Sequence, residues 1–417
     1  MEVLYKSTRG NGETVTASQA ILKGLSDDGG LFVPTSIPAL DVPMEKLAAM
    51  SYQEVAYEVM SRFLTDFTED ELKNCIANAY DAKFDTEEIA PLTKADGVYY
   101  LELFHGATIA FKDMALQMLP QLLSAALRKT GEKRTACILA ATSGDTGKAA
   151  MAGFADVPQT CIQVYYPKNG VSPVQERQMV TQKGENVDVR AVIGNFDDAQ
   201  AGVKRIFSDE AVRAELDKRG YFLSSANSIN WGRILPQVVY YISAYCNLVR
   251  DGALTMGDKV NFCVPTGNFG DILAAYYAKR MGLPVNRLIC ASNSNNVLTD
   301  FLRTGIYDRN RPFHTTISPS MDILISSNLE RLLFDLSGEN DAEIRMYMDA
   351  LGSAGRYQVS DNIKAKLDDA FWGGCCSEEE TEETIRRYWQ DHNYLIDPHT
   401  AVAAEVLVQY HVASGDE

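Results

Sequence analysis

Histidine and tryptophan are scarce in this chain of 417 residues, at five and three, and the spacings that carry much hydrolytic and metal chemistry are missing. There is no HExxH and no GxSxG, so zinc-protease and serine-hydrolase sites find no support. His105, His314, His392, His399 and His411 show no metal-binding spacing. None of the eight cysteines (Cys75, Cys137, Cys161, Cys246, Cys263, Cys290, Cys375 and Cys376) forms a CxxC pair. Most stand in apolar runs such as ACILAA and NFCVP, the setting of reduced core thiols, which points to a reducing compartment. Basic charge is also deficient, with 39 Lys and Arg against 56 Asp and Glu and a formal charge of −17. A generally basic surface for nucleic acid is therefore excluded, and an anionic substrate needs a local positive pocket. No run of about 18 apolar residues occurs. The opening MEVLYKSTRG has no apolar signal core, so neither membrane insertion nor secretion is expected and the cytoplasm is the default.

What is present is an ample core, with 46% hydrophobic residues in a length that predicts two or three packed domains. From about residue 135, short β-branched runs alternate with longer amphipathic ones, the pattern of βαβ units around a mostly parallel sheet. Strands are expected at 135–141, 160–166, 187–193, 221–225, 259–265 and 287–292. Helices are expected to open at Gly147, Pro173, Asp197, Trp231, Phe269 and Asn295. The first 95 residues read as a helical subdomain, with helices at Met44–Phe63 and Thr68–Ala79 and prolines at 34, 38 and 43. Beyond about residue 337 the chain reads as helical again, at Asn340–Leu351, Ser360–Phe371, a start at SEEETEET and a last helix after Asp397. Acidic residues in a first turn oppose the positive end of the helix dipole, so Glu378–Glu383 reads as capping. The expected division is 1–95, 96–225 and 226–417.

Four segments could carry chemistry. In HGATIAFKD, Lys112 enters at a helix start, where the dipole and an apolar pocket would lower an amine's pKa, as an imine-forming nucleophile requires. Taken alone, a lysine beside an aspartate is more often the mark of a surface ion pair. The strand at 135–141 runs into TSGDTGKAA, placing Ser143, Asp145, Thr146 and Lys148 at a small-residue turn suited to anions. It is not a Walker A loop, because Thr142 stands where the first glycine belongs and Ala149 replaces the Mg²⁺-binding hydroxyl. The strand at 259–265 ends in a second such turn, Gly267, Asn268, Phe269, Gly270 and Asp271. Ligands of open α/β sheets bind at the carboxyl ends of strands, and neither turn has the dinucleotide pattern GxGxxG. Finally, NSINWGR gathers Ser228, Asn230 and Arg233, residue types that bind phosphate and that also cap helices.

In order along the chain, SQAILKGLSDDGGLFVP (18–34), HGATIAFKD (105–113), ATSGDTG (141–147), NSIN with Arg233, GNFGD (267–271) and DPHTAVA (397–403) resemble the threonine synthase family of bacteria and fungi. Ala107 stands where that family commonly has proline. The resemblance implies an α/β fold of pyridoxal-phosphate (PLP) fold type II, with a small and a large α/β domain beside the N-terminal helical subdomain. It implies O-phosphohomoserine as substrate, threonine and phosphate as products, and a monomer or homodimer. It makes Lys112 the Schiff-base lysine and places the cofactor phosphate on backbone N–H groups of Gly267, Asn268, Phe269 and Gly270, with Asp271 adjoining. Thr400 would face the pyridine nitrogen, leaving it less protonated than a carboxylate would, and Asp145 would lie near the ring's 3-oxygen. Ser143, Thr146, Lys148, Ser228, Asn230 and Arg233 would bind substrate. A dehydratase of the same fold and a binding protein that has lost its chemistry are the competing readings.

Overall fold

A computed structural model describes residues 2–142, 144–194 and 196–416. Four strands, Val187–Val192, Thr160–Pro167, Thr135–Ala141 and Tyr221–Ser224, form a parallel sheet in that spatial order. Val260–Pro265, Val285–Ser292 and Phe371–Cys375 form a second, also all parallel. Parallel neighbours require long crossovers, and helices such as Asp145–Phe154, Pro173–Val180 and Gly270–Arg280 provide them. The strands read from the sequence all form, with bounds shifted by two residues at most. The helices expected at Pro173 and Trp231 start there, and the others start at Asp145, Phe196, Gly270 and Val297.

Three features depart from the expectation. The N-terminal region is not purely helical: Tyr5–Ser7 pairs antiparallel with both Thr14–Val15 and Phe32–Pro34. The helix expected over Met44–Phe63 is two, Met44–Ala48 and Tyr52–Met60, because Ser51 and Glu54 form a capping box that starts the second. The segment after Ala370 is a strand, Phe371–Cys375, rather than the end of a helix. The acidic run does cap its helix, through reciprocal bonds of Ser377 and Glu380.

The helix Trp231–Arg250 is the spine of the core, buried on all sides from Trp231 to Cys246. Trp231 sits edge-on to Tyr277 at 5.4 Å and beside Tyr5 at 5.5 Å, joining the N-terminal sheet to the helix Gly270–Arg280. The turn following Thr135–Ala141 and the turn following Val260–Pro265 therefore come from different sheets, yet both open into one cavity of about 2140 Å³. No helix among the described residues is long and apolar enough to cross a membrane.

Candidate active site

Lys112 caps a short helix, Asp113–Leu116, and its segment is braced from within. Asp113 is buried and accepts hydrogen bonds from the Thr108 amide at 2.7 Å and the Thr108 hydroxyl at 2.6 Å. Burial pushes the Asp113 carboxyl up, against the pull of those bonds. A side chain at Gly106 would lie 2.6 Å from Asp113, so glycine is what lets the loop fold onto its own acid. Lys112 is thus not the surface partner of its neighbour. Its ammonium points into the cavity and donates to Asp145 at 2.7 Å and to the Ser320 hydroxyl at 3.2 Å. The counter-charge comes from the start of another helix, Asp145–Phe154.

Asp145 is the first residue of the helix Asp145–Phe154, at the turn that follows the strand Thr135–Ala141. Thr142, buried behind it, accepts from the Gly144 and Gly147 amides at 3.0 and 2.9 Å and so shapes the turn. Burial alone would raise the Asp145 carboxyl, but the Lys112 ammonium and the Ser320 hydroxyl hold it well below the usual carboxylate range. Thr146 donates its amide to Asp145 at 2.7 Å and lines the cavity. Lys148 lines it as well, donating to Gln182, and burial lowers its pKa. Ser143 lies outside the described residues.

The second turn forms a cradle. Phe269 is held at φ 66°, in the left-handed region, with its ring buried, and the helix begins at Gly270. The first amides of a helix have no intrahelical acceptor, so a turn of this shape offers them to an anion. A Cβ on Gly267 would fall 2.5 Å from the Ser320 carbonyl oxygen, and one on Gly270 3.3 Å from Ile234. Asp271 also reaches the cavity wall, but its carboxylate is taken by the hydroxyls of Tyr240 and Tyr241, and burial pushes it up.

Within NSINWGR, the structure separates residues that the sequence grouped. Ser228 and Arg233 line the cavity. Asn230 does not: it is fully buried, accepts from the Gly232 amide at 2.9 Å and donates to the Ile21 and Ser225 carbonyls. Its oxygen caps the helix and both of its N–H donors are taken by backbone carbonyls, so it is turned away from the cavity. Arg233 donates from Nη1 to the Ala226 carbonyl at 2.6 Å, while its buried Nε has no partner among the described residues. Burial lowers its pKa to about 10, with Asp145 opposing, so it remains charged at neutral pH.

Sequence reasoning missed Ser320 and His399. Ser320 sits in a loop without a motif; its hydroxyl donates to Asp145 at 2.7 Å. Its amide donates to His399 Nε2 at 3.2 Å, so the His399 proton belongs on Nδ1, which donates to Asp397 at 2.8 Å. The Thr400 hydroxyl donates to the other Asp397 oxygen at 2.6 Å. Asp397 faces the cavity, enclosed without being covered. Its surroundings push its carboxyl up, and His399 and Thr400 bring it down to about 2. DPHT carries the only sequence signal for His399, a histidine two residues past a capping aspartate.

A lysine amine, a glycine cradle at a helix start and a buried arginine with an unused donor suit a phosphorylated aldehyde cofactor and a second anion. The family described as "Pyridoxal-phosphate dependent enzyme" matches residues 84–359, and the one described as "Threonine synthase N terminus" matches residues 4–80. The chain belongs to the threonine synthase family. Threonine synthase of Pseudomonas aeruginosa is 42% identical over 95% of this chain and 82% of its own. Human threonine synthase-like 1 is also 42% identical, over 93% of this chain, which spans about half (54%) of that relative's length. Among solved structures, PLP-bound threonine synthase from Brucella melitensis superposes with a TM-score of 0.91 at 40% identity, covering 98% of this chain and 86% of that one. Yeast threonine synthase also gives 0.91, at 37% identity over 99% and 85%. The α/β architecture with its threonine-synthase N-terminal segment is therefore that of PLP fold type II.

Proposed function

We propose that this chain converts O-phosphohomoserine and water into threonine and inorganic phosphate, using PLP bonded to Lys112. The observation that carries the reading is the convergence of Lys112, the Gly267–Gly270 cradle and Arg233 on one cavity. Membership of the threonine synthase family supports it. PLP, when bound, supplies an electron sink for carbanion chemistry at the substrate's Cα.

The amides of Gly267, Asn268, Phe269 and Gly270 would hold the cofactor phosphate, and Thr400 would be the partner of its ring nitrogen. Lys112, released as a free amine when substrate binds, takes the Cα proton and returns protons where the product needs them. Asp145 and Ser320 keep that amine directed at the reacting carbon. Arg233, with Ser228 and Lys148, takes the substrate phosphate, orients Cγ for its departure and receives the charge that develops on it. Thr146 orients the amino-acid end of the substrate, and Ser143 is assigned there from its place in the motif. Residues 96–225 serve as the small domain and 226–417 as the large, with 1–95 as the N-terminal unit.

The test is threonine and phosphate formation from O-phosphohomoserine with PLP present, comparing wild type with Lys112→Ala. Equal amounts of both products, abolished by the substitution, are expected. A yellow, folded wild type without turnover would leave the fold standing and turn attention to a dehydratase.

A further inference from the structure

Ser320 occupies a junction. Its hydroxyl contacts both members of the Lys112 and Asp145 pair, at 3.2 and 2.7 Å. Its carbonyl oxygen lies 2.5 Å from where a Cβ of Gly267 would be, so its backbone is pressed against the anion cradle. Yet it belongs to no long element, only to a single 3₁₀ turn, Pro319–Met321. Ser318 and Asp322 on either side of it are pinned by Asn293, at 2.9 and 2.8 Å. Ser320's own amide has a different anchor, the Nε2 of His399, brought in from the start of the helix Pro398–Ser414.

That anchor works in one protonation state. An imidazole accepts at Nε2 only when its proton is on Nδ1, and Asp397 at 2.8 Å selects that tautomer. A histidine needed only to start a helix would not require this, since Asp397 already caps the His399 and Thr400 amides with its own carboxylate.

We infer that His399 is a positioning residue, fixing Ser320 through its amide and thereby aligning Lys112 and Asp145 against the cofactor cradle. The inference rests on Lys112 being the cofactor lysine. His399 does not touch the reacting atoms; it removes the freedom of the residue that touches the lysine. A displacement of about 1 Å in a reacting group costs up to about a hundredfold in rate.

Two substitutions separate this role from plain structural support. His399→Gln places an amide oxygen near the position of Nε2 and keeps an acceptor for Ser320. His399→Asn is shorter, stays within reach of Asp397 and loses Ser320. The holoenzymes of wild type, both variants, Ser320→Ala and the double variant His399→Asn/Ser320→Ala are compared by the visible absorbance band of the lysine-bound cofactor, its titration with pH, kcat and KM. His399→Asn is expected to move the titration of the band and to lower kcat about tenfold or more with KM little changed. His399→Gln is expected to restore most of both. The double variant is expected to match Ser320→Ala, because the two residues act as one unit. Independent, multiplying effects of the two changes would overturn the inference, as would a Gln variant no better than Asn, or an Asn variant with a wild-type band. If wild type fails to turn over O-phosphohomoserine, the proposed reaction falls, while the absorbance comparison still decides the role of His399.

Discussion

Asn230 and Arg233 lie three positions apart and do different work. Both were legible in the sequence as candidate phosphate ligands, because asparagine and arginine at a helix start are what anion sites are built from. What the sequence could not show is where each side chain spends its hydrogen bonds, since capping and anion binding draw on the same residue types. Asn230 spends all of them on Gly232, Ile21 and Ser225. Asn230→Ala removes a helix cap and leaves buried carbonyls without donors, so a loss of about 2–3 kcal/mol in urea unfolding is expected. Turnover per folded molecule should stay near wild type. Arg233→Gln is expected to do the reverse: cofactor retained, and kcat/KM on O-phosphohomoserine reduced about a hundredfold or more, the equivalent of roughly 2.7 kcal/mol of lost charge-assisted binding. A variant that binds PLP and keeps wild-type kcat/KM would remove Arg233 from the phosphate site.

Among elements, legibility followed length and period. The parallel strands around 135–141 and 259–265 were readable because buried β-branched runs of six to eight residues have few other uses. Phe371–Cys375 was not: FWGGC has two glycines where a strand is expected to have side chains. Its neighbours explain them, for a Cβ on Gly374 would meet the Trp372 ring at 2.7 Å and one on Gly373 would meet Leu302 at 3.2 Å. Pairing with Leu288–Ser292 then makes the strand, a partner that local sequence cannot reveal. The N-terminal strands, two or three residues each, are too short to show any period. The same close packing makes the cradle testable as an element. Gly267→Ala must push back the Ser320 backbone, since the clash is with a carbonyl and not with a flexible chain end. The expected result is overpacking of about 1–3 kcal/mol together with weaker PLP binding, read from cofactor titration of the apoprotein. Unchanged PLP affinity would separate the cradle from the cofactor phosphate.

For the whole molecule, the question is how a protein of formal charge −17 would admit the proposed substrate, itself an anion. The charged side chains lining the cavity answer part of it: Lys112, Lys148, Lys168, Arg233 and Lys259 balance Glu102, Asp145, Asp271, Asp322 and Asp397 in number. Burial further pushes the Asp271 carboxyl toward its neutral form. The site is therefore close to neutral inside an acidic body, and its deficit of negative charge is local. A chain of this length has a radius of gyration of roughly 22 Å. At about 0.01 M ionic strength the Debye length is about 30 Å, so the full negative charge is felt at the cavity mouth; at about 0.15 M it is about 8 Å, and only the lining charges remain. Raising salt across that range should accordingly increase kcat/KM on O-phosphohomoserine by a few-fold and then level off, with kcat little changed, because encounter and not chemistry is affected. The measurement is kcat/KM against ionic strength with a weakly binding salt such as an alkali acetate, since added phosphate would compete for Arg233. A steep fall with salt would instead mean that the lysines at the mouth steer the substrate over the repulsion of the rest, and Lys168→Gln would then be the variant in which the slope disappears.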